Sequence, residues 1–535
     1  MSLQPVCDTP GEHLLWYTAP AGEWKEGLPI GNGVVAGWVL GAQPRERIAL
    51  NHEWLWRANG RERDIEPCHQ HLPEIRRLFF EGKVLEAGEL ANEKLGGHGG
   101  VLSREGKPGR VDAYQPAGDL MIDTGCAEPG NYVRSLDLTT GVARTGYRAG
   151  DGAFARESFA HATRPLIATR LTADGGTLDC EIELSRIADP DATIDLQTFD
   201  DTVQLVGAFP EGVRWCVRAK VLLPAGGELE TRGDAKLRIH GAAEAVVLLT
   251  IAVALDDQDP VQLAEHQLAG LNTDWPALLD EHVAAHRRLY GRVTLDLATP
   301  RSTKTTSDRL KAMRDGGDDP GLMVLYFNFG RYLLIASSRT GGLPANLQGK
   351  WNEELAPPWD CDLHQDVNIQ MNYWPAEPCD LGECIEPLFA HMERFVPHAR
   401  EAARRNGCLS NTRQLALASF NHESATKRFP LGTDAIGPYV GDGAALPGSA
   451  EGDLAAGFSW QVKLLPFMEE SILYDEIQAS SDRFAVSAFD ESITAAGLHP
   501  SQVQIASLRC PSYTGDIYAT APEYETNLGS VAVGN

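Results

Sequence analysis

The chain has 535 residues, 43% of them hydrophobic and 23% charged, with 47 Lys and Arg against 74 Asp and Glu, a formal net charge of −27. That length predicts three or four folding units at roughly 150 residues each, and the acidity argues against a polyanion such as nucleic acid as partner. The ten cysteines include no Cys-x-x-Cys pair and no finger-like His spacing, so neither a metal site nor a dense disulfide framework is predicted.

Residues 12–270 follow mainly a period of two. Leu178, Cys180, Ile182 and Leu184 alternate with Asp179, Glu181 and Glu183; Val213, Trp215, Val217, Ala219 and Val221 alternate with Arg214, Cys216, Arg218 and Lys220. Such alternation predicts half-buried antiparallel strands, and the Gly and Asp turns between them predict a large β-sandwich. Pro73–Leu95, rich in Glu, Arg, Leu and Ala, interrupts the sandwich as a helical insertion. Gly31-Asn32-Gly33 reads as a tight turn, because no Gly-Lys-Ser/Thr follows to make a phosphate loop. The longest apolar run, Ala245–Leu255, is too short to cross a bilayer and reads as a buried strand. Met1–Asp8 has neither the basic nor the apolar region of a signal peptide, which predicts a cytoplasmic location by default.

From 275 to 405 the period becomes helical. Asp274 caps a helix with Pro276 in its first turn and with Leu279, Val283, His286 and Tyr290 at helix spacing. Asp319-Pro320 starts a second helix through Leu334, and Ile385–Arg405 forms a third that Gly407 would stop. Cys379 and Cys384 could form a disulfide, but buried thiols are expected.

Residues 338–377 carry the signal for chemistry. Trp351, Trp359, Tyr373 and Trp374 lie among Asn346, Gln348, Asn352, Asn368, Gln370 and Asn372, a mixture suited to a pocket where sugar C–H faces stack on rings and hydroxyls meet amides. If His364–Asn368 is extended, the side chains of His364, Asp366 and Asn368 share one direction, placing an imidazole, a carboxylate base and an orienting amide around one water. The alternative is an Asp and a His hydrogen-bonded to backbone near a helix start. Ser337-Ser338-Arg339 has no base beside it for serine chemistry, and nothing in the chain demands a cofactor.

The segments at 330–359 and 368–384, with LPIGNGVVAGWVLG (28–41), RERIALNHEWLW (45–56), YQPAGDL (114–120) and YRAGDGAFARESFA (147–160), resemble glycoside hydrolase family 95, the inverting α-L-fucosidases, over most of residues 12–400. The resemblance implies a β-supersandwich followed by an (α/α)6 barrel, terminal α-L-fucosyl residues of glycans as substrate, and relatives that are often exported. It places the water-activating pair at Asp366 and Asn368, although the family carries asparagine at the first of these positions. It makes His364 a sugar ligand. Trp351, Trp374, Asn32, Asn51 and Glu53 are further candidate substrate-binding residues, and for Asn51-His52-Glu53 a cap or buried polar triplet is an equal alternative.

From about Ala399 the pattern changes. The stretches at 399–432, 457–477 and 508–516 resemble the planctomycete pseudopilin-like family, a domain of unknown function. Phe458, Trp460, Val462 and Leu464 alternate there as a strand would, with Pro466 closing the run. The expected architecture is therefore multidomain β + α: a β-supersandwich over 1–272, a helical linker over 273–316, the first part of an (α/α)6 barrel over 317–405, and a small α+β segment over 406–535, as in a gene fusion. Inversion needs a general acid roughly 6.5–9.5 Å from the base, and in the fucosidases it lies in the barrel region that is replaced here. Glu353, Glu354, Asp360, Asp362 and Glu377 are the substitutes within reach. Three functions compete: a fucosidase-like hydrolase impaired by the replaced barrel, a non-catalytic carbohydrate-binding or structural remnant, and an envelope or pseudopilin-like interaction protein. Apolar helix faces left open by a partial barrel would favour oligomers.

Overall fold

The computed structural model describes residues 11–58, 68–95, 100–101, 103–104, 107–108, 111–126, 128–255, 257–298, 302–365 and 367–396, with short stretches at 417–419, 421–422, 424–427, 464–468, 470–480, 518–519 and 531–532. The chain divides into two compact units, Met1–His391 and Met392–Asn535.

The first unit is built on two antiparallel sheets. One has nine strands in the order Leu14–Tyr17, Gly130–Asp137, Val142–Ala149, Gly152–Ala160, Ile167–Asp174, Glu244–Ala254, Arg214–Leu222, Thr202–Ala208 and Thr193–Thr198. The other has seven, in the order Glu228–Thr231, Lys236–Ala242, Leu178–Ser185, Gly118–Asp123, Arg45–His52, Val35–Val39 and Leu28–Gly31. The alternation has the consequence expected of it: Trp215, Val217, Ala219 and Val221 join Cys180, Ile182 and Leu184 in one core. Trp215 is fully buried and its indole N–H donates to the carbonyl of Ala117 at 2.9 Å, so the largest core side chain keeps its polar atom satisfied. Cys216 departs from the pattern. It points to the opposite face yet is buried with Ala252 and Ala264, because helix α3 (Pro260–Leu268) covers that side.

The insertion predicted at Pro73–Leu95 is two helices, α1 (Leu72–Phe80) and α2 (Val84–Leu95), which pack on each other. Helix α4 (Trp275–Tyr290) begins as the sequence requires, with the Asp274 carboxylate accepting from Ala277 N at 3.1 Å and Pro276 in the first turn. Its buried face differs from expectation: Trp275, Leu278, His282, His286, Leu289 and Tyr290 face inward, while Leu279 and Val283 are only half-buried. Two carbonyls in the turn after Gly130–Asp137 decide this. His282 Nε2 lies 2.7 Å from the oxygen of Thr140 and His286 Nε2 lies 2.8 Å from that of Leu138, so the imidazoles satisfy backbone that an aliphatic residue would leave orphaned. Gly141, at φ 68°, brings the turn so close that a Cβ there would sit 3.3 Å from His282 Nε2.

Helix α5 (Thr306–Arg314) follows, then α6 (Pro320–Ser337), capped by Asp319. One side of α6 packs on the sandwich through Leu325, Tyr332 and Ile335, and the Tyr332 hydroxyl donates to the carbonyl of Pro29 at 2.7 Å. The close approach explains Gly31, where a Cβ would lie 2.5 Å from the Ala336 oxygen, and Gly33, whose N–H donates to that oxygen at φ 89°. The tight-turn reading of this sequence is thereby accounted for. The other side of α6 carries Met323 and the exposed Tyr326, and it borders a groove of about 1220 Å³ also lined by Trp24, Trp38 and Leu333. No described helix is long and apolar enough to cross a membrane.

Helix α7 spans Asn368–Tyr373, and residues 386–396 are helical. The remainder of the helix expected over Ile385–Arg405, and residues 458–463 of the expected strand, lie outside the described residues. Leu464 is helical and Pro466 sits in a 3-10 turn, Leu465–Phe467, so the end of that stretch is not extended. In the second unit a helix runs over Ser471–Ser480, and Tyr518–Ala519 pairs antiparallel with Val531–Ala532.

The histidine contacts predict an acid transition. Burial holds His286 down to about 4 and His282 well below the ordinary value, and it lowers His161, whose ring lies near His282. Unfolded histidines bind protons near 6.5, so this part of the stability is complete above about pH 6.5 and is lost as pH falls toward about 4. Melting temperature should drop steeply across that window, with a shallower drop in His286→Phe; equal slopes in the two proteins would contradict the assignment.

Candidate active site

Most amides of the 338–377 region prove to be engaged with backbone. Asn346, which is buried, accepts from Gln348 N at 2.9 Å and from the Cys361 thiol at 3.2 Å. Asn352 donates to the carbonyls of Tyr114 and Glu354 and accepts from Glu354 N. Asn372 donates to the Asn346 carbonyl at 3.1 Å. These bonds have a structural reason, since buried irregular loops need donors and acceptors that a sheet or helix would have supplied, while Gln348, Asn352 and Asn372 also line the groove beside α6 together with Trp351.

The candidates from the sandwich are similarly occupied. Asn32 donates to the carbonyls of His161 and Arg164 and accepts from Val34 N and Val35 N, which fills its amide. Asn51 exchanges two hydrogen bonds with the backbone of Asn352, at 2.9 and 3.0 Å. Glu53 accepts from Leu343 N and faces Lys350 Nζ at 3.4 Å, and all three residues are buried. Burial lowers Lys350 to about 8 against the pull of Glu53. Asn51-His52-Glu53 is thus the buried polar triplet of the two alternatives. Trp351 is buried as well, its indole N–H donating to the Ile30 carbonyl at 3.0 Å and its ring tilted 5.9 Å from Trp38. Ser338 and Tyr373 bond to each other at 2.7 Å and to the backbone of Cys384 and Ala345, which accounts for them without catalysis. Cys379 and Cys384 are free buried thiols.

The groups left facing solvent lie on one loop and the helix after it. The described residues 359–364 do not form a strand: Trp359, Asp360, Cys361 and His364 have φ of 49°, 55°, 55° and 42°, and Asn368 opens α7. The period-two spacing assumed for this triplet requires a strand, and neither His364 nor Asn368 has strand geometry. His364 Nδ1 lies 2.9 Å from Asp362 Oδ1, both about one-fifth exposed, which makes a carboxylate–imidazole pair beside the helix start. Asn368 is exposed and Trp374 is 63% exposed. Asp366 lies outside the described residues. Of the substitute acids, Glu353 is engaged by Arg47 at 2.6 Å, Asp360 accepts from Val111 N at 3.3 Å, and Asp362 pairs with His364, while Glu354 and Glu377 are exposed. Among the described residues no cluster could hold a metal ion.

Sequence comparison bears on this loop directly. Residues 274–427 match the glycosyl hydrolase family 95 catalytic domain. The chain resembles that family. Residues 15–258 match the N-terminal domain of glycosyl hydrolase family 65, and residues 397–533 match a protein family of unknown function, DUF1559. Alpha-L-fucosidase 2 of Arabidopsis thaliana is 28% identical over 433 residues, covering 73% of this chain and 50% of the relative. The probable alpha-fucosidase A of Aspergillus niger is 26% identical over 428 residues, covering 74% and 51%. The chain spans about half the length of the curated relatives it matches.

The buried pair is testable apart from any chemistry. Removing one partner of a buried ion pair leaves the other uncompensated, typically at about 3–5 kcal/mol. Glu53→Ala should lower the unfolding free energy by roughly that amount in denaturant titration; a loss below about 1 kcal/mol would show that the Leu343 and Pro344 carbonyls alone suffice for Lys350.

Proposed function

We propose that this chain is a glycoside hydrolase of the family 95 type, directed at terminal α-L-fucosyl residues of glycans, in which binding survives better than turnover. The observation that supports the reading is the family match at 274–427, which spans the Asp362–His364 pair and the exposed Asn368. The relatives named alpha-fucosidase support the sugar. In this reading residues 1–272 form the β-supersandwich, 273–316 a helical linker, 317–405 the first part of an (α/α)6 barrel and 406–535 the pseudopilin-like segment.

Each group has a distinct task. Asp366 takes a proton from the attacking water, Asn368 orients that water by hydrogen bonding, and His364, held by Asp362, receives a sugar hydroxyl. Departure of the aglycone needs a protonated carboxyl on the other side of the glycosidic bond. The match to DUF1559 begins at residue 397, where the rest of the barrel would follow, and none of Glu353, Asp360 and Asp362 is free of a competing partner. A missing general acid typically costs a factor of about 10²–10⁴.

Purified full-length chain should therefore hydrolyse an aryl α-L-fucoside at a rate lower by about that factor than an intact relative, and Asp366→Ala and Asn368→Ala should remove what remains. Robust turnover abolished by Asp366→Ala would overturn the impairment, and turnover unaffected by both substitutions would remove these residues from the site.

A further inference from the structure

We propose that Trp359 is a sugar-stacking platform of this site. The inference rests on the glycan reading above and adds a binding residue to it.

The backbone supplies the first observation. Trp359, Asp360 and Cys361 adopt left-handed conformations in succession, and His364 adopts a fourth. Residues with a Cβ visit this region as isolated exceptions, because Cβ crowds the following carbonyl. None of the four is glycine, so the strain persists only because the surroundings impose it. Those surroundings are visible. The Asp360 carbonyl accepts from Tyr114 N at 3.0 Å, the Asp362 carbonyl accepts from Leu347 N at 3.0 Å, and Cys361 is fully buried with its thiol on Asn346. The loop is thus tied on one side to the sandwich and on the other to the turn at Asn346–Gly349.

The second observation is where the largest side chain goes. A loop fixed this firmly for packing alone would be expected to bury its indole, yet Trp359 is 63% exposed while its neighbour Cys361 is at 0%. The structure holds an aromatic face rigidly in water, five residues before His364 on the same loop. A flat apolar ring with its N–H free for a hydroxyl matches the C–H face of a pyranose, and a preorganised ring loses little entropy on binding. Trp374 is equally exposed, but it ends α7 with ordinary helical angles, so no comparable constraint holds it outward.

The test uses the 535-residue chain titrated with L-fucose and with a trisaccharide ending in α-L-fucose, by calorimetry. Trp359→Ala should weaken trisaccharide binding by roughly three- to tenfold, the size of an aromatic contact. Trp359→Phe should retain most of the affinity. Trp359→Gly separates binding from folding: glycine accepts a positive φ, so its melting temperature should equal or exceed that of Trp359→Ala while binding stays weakened to the same extent. Wild-type binding that persists unchanged in Trp359→Ala and Trp359→Gly would overturn the platform alone. Absence of any sugar binding by wild type would overturn the glycan reading beneath it. Unchanged sugar affinity accompanied by a shift in sedimentation on substitution would assign the indole to a protein contact and likewise overturn the proposal.

Discussion

Much of the first unit depends on how buried loop backbone finds hydrogen-bonding partners. The segment 338–365 has no α-helix or strand, and its buried stretches, such as 343–346 and 350–352, remove peptide groups from water without a ladder to receive them. Buried side chains take the place of a ladder. Asn51 and Asn352 exchange two bonds across 301 positions of sequence, and Lys350 donates to two carbonyls while facing Glu53. His282 and His286 serve carbonyls at the other seam, between α4 and the sandwich. Each of these polar groups would be costly if left alone, so together they specify one docking of helices on sheets.

That arrangement explains what the sequence disclosed and what it withheld. Strands with one covered face follow a period of two, so the core through Trp215, Val217, Ala219 and Val221 was legible, as were the Asp274 and Asp319 caps. Periodicity does not register the partners of a loop amide. Asn32, Asn51 and Asn352 look identical in sequence whether they meet a sugar or a carbonyl some 100 to 300 positions away. The inward turn of His282 was hidden for the same reason, since it answers to Thr140 rather than to its own helix. The residues around His364 misled in another way: their spacing suits a strand, but Trp359, Asp360, Cys361 and His364 are left-handed and Asn368 opens α7. The pair of prolines before Trp359 is the one local sign of that bend, because the first keeps its predecessor out of the helical region.

Where the buried amides end, the candidate chemistry begins. The loop that is fastened to both the sandwich and the Asn346 turn carries Trp359, the Asp362–His364 pair and the approach to Asn368. A binding group benefits from such fastening because it is oriented before the ligand arrives. The general acid has no comparable provision among the carboxylates nearby, which are ion-paired, hydrogen-bonded or exposed. The exposed Met323 and Tyr326 of α6 border a groove on the same unit.

The most direct measurement is a crystal structure of the 535-residue chain soaked with a trisaccharide ending in α-L-fucose. The account predicts an intact glycosidic bond, the fucose ring against the Trp359 indole and a hydroxyl within hydrogen-bond distance of His364. A fucose bound away from residues 357–368, or a cleaved product held there with a carboxylate of this chain at the leaving oxygen, would contradict it.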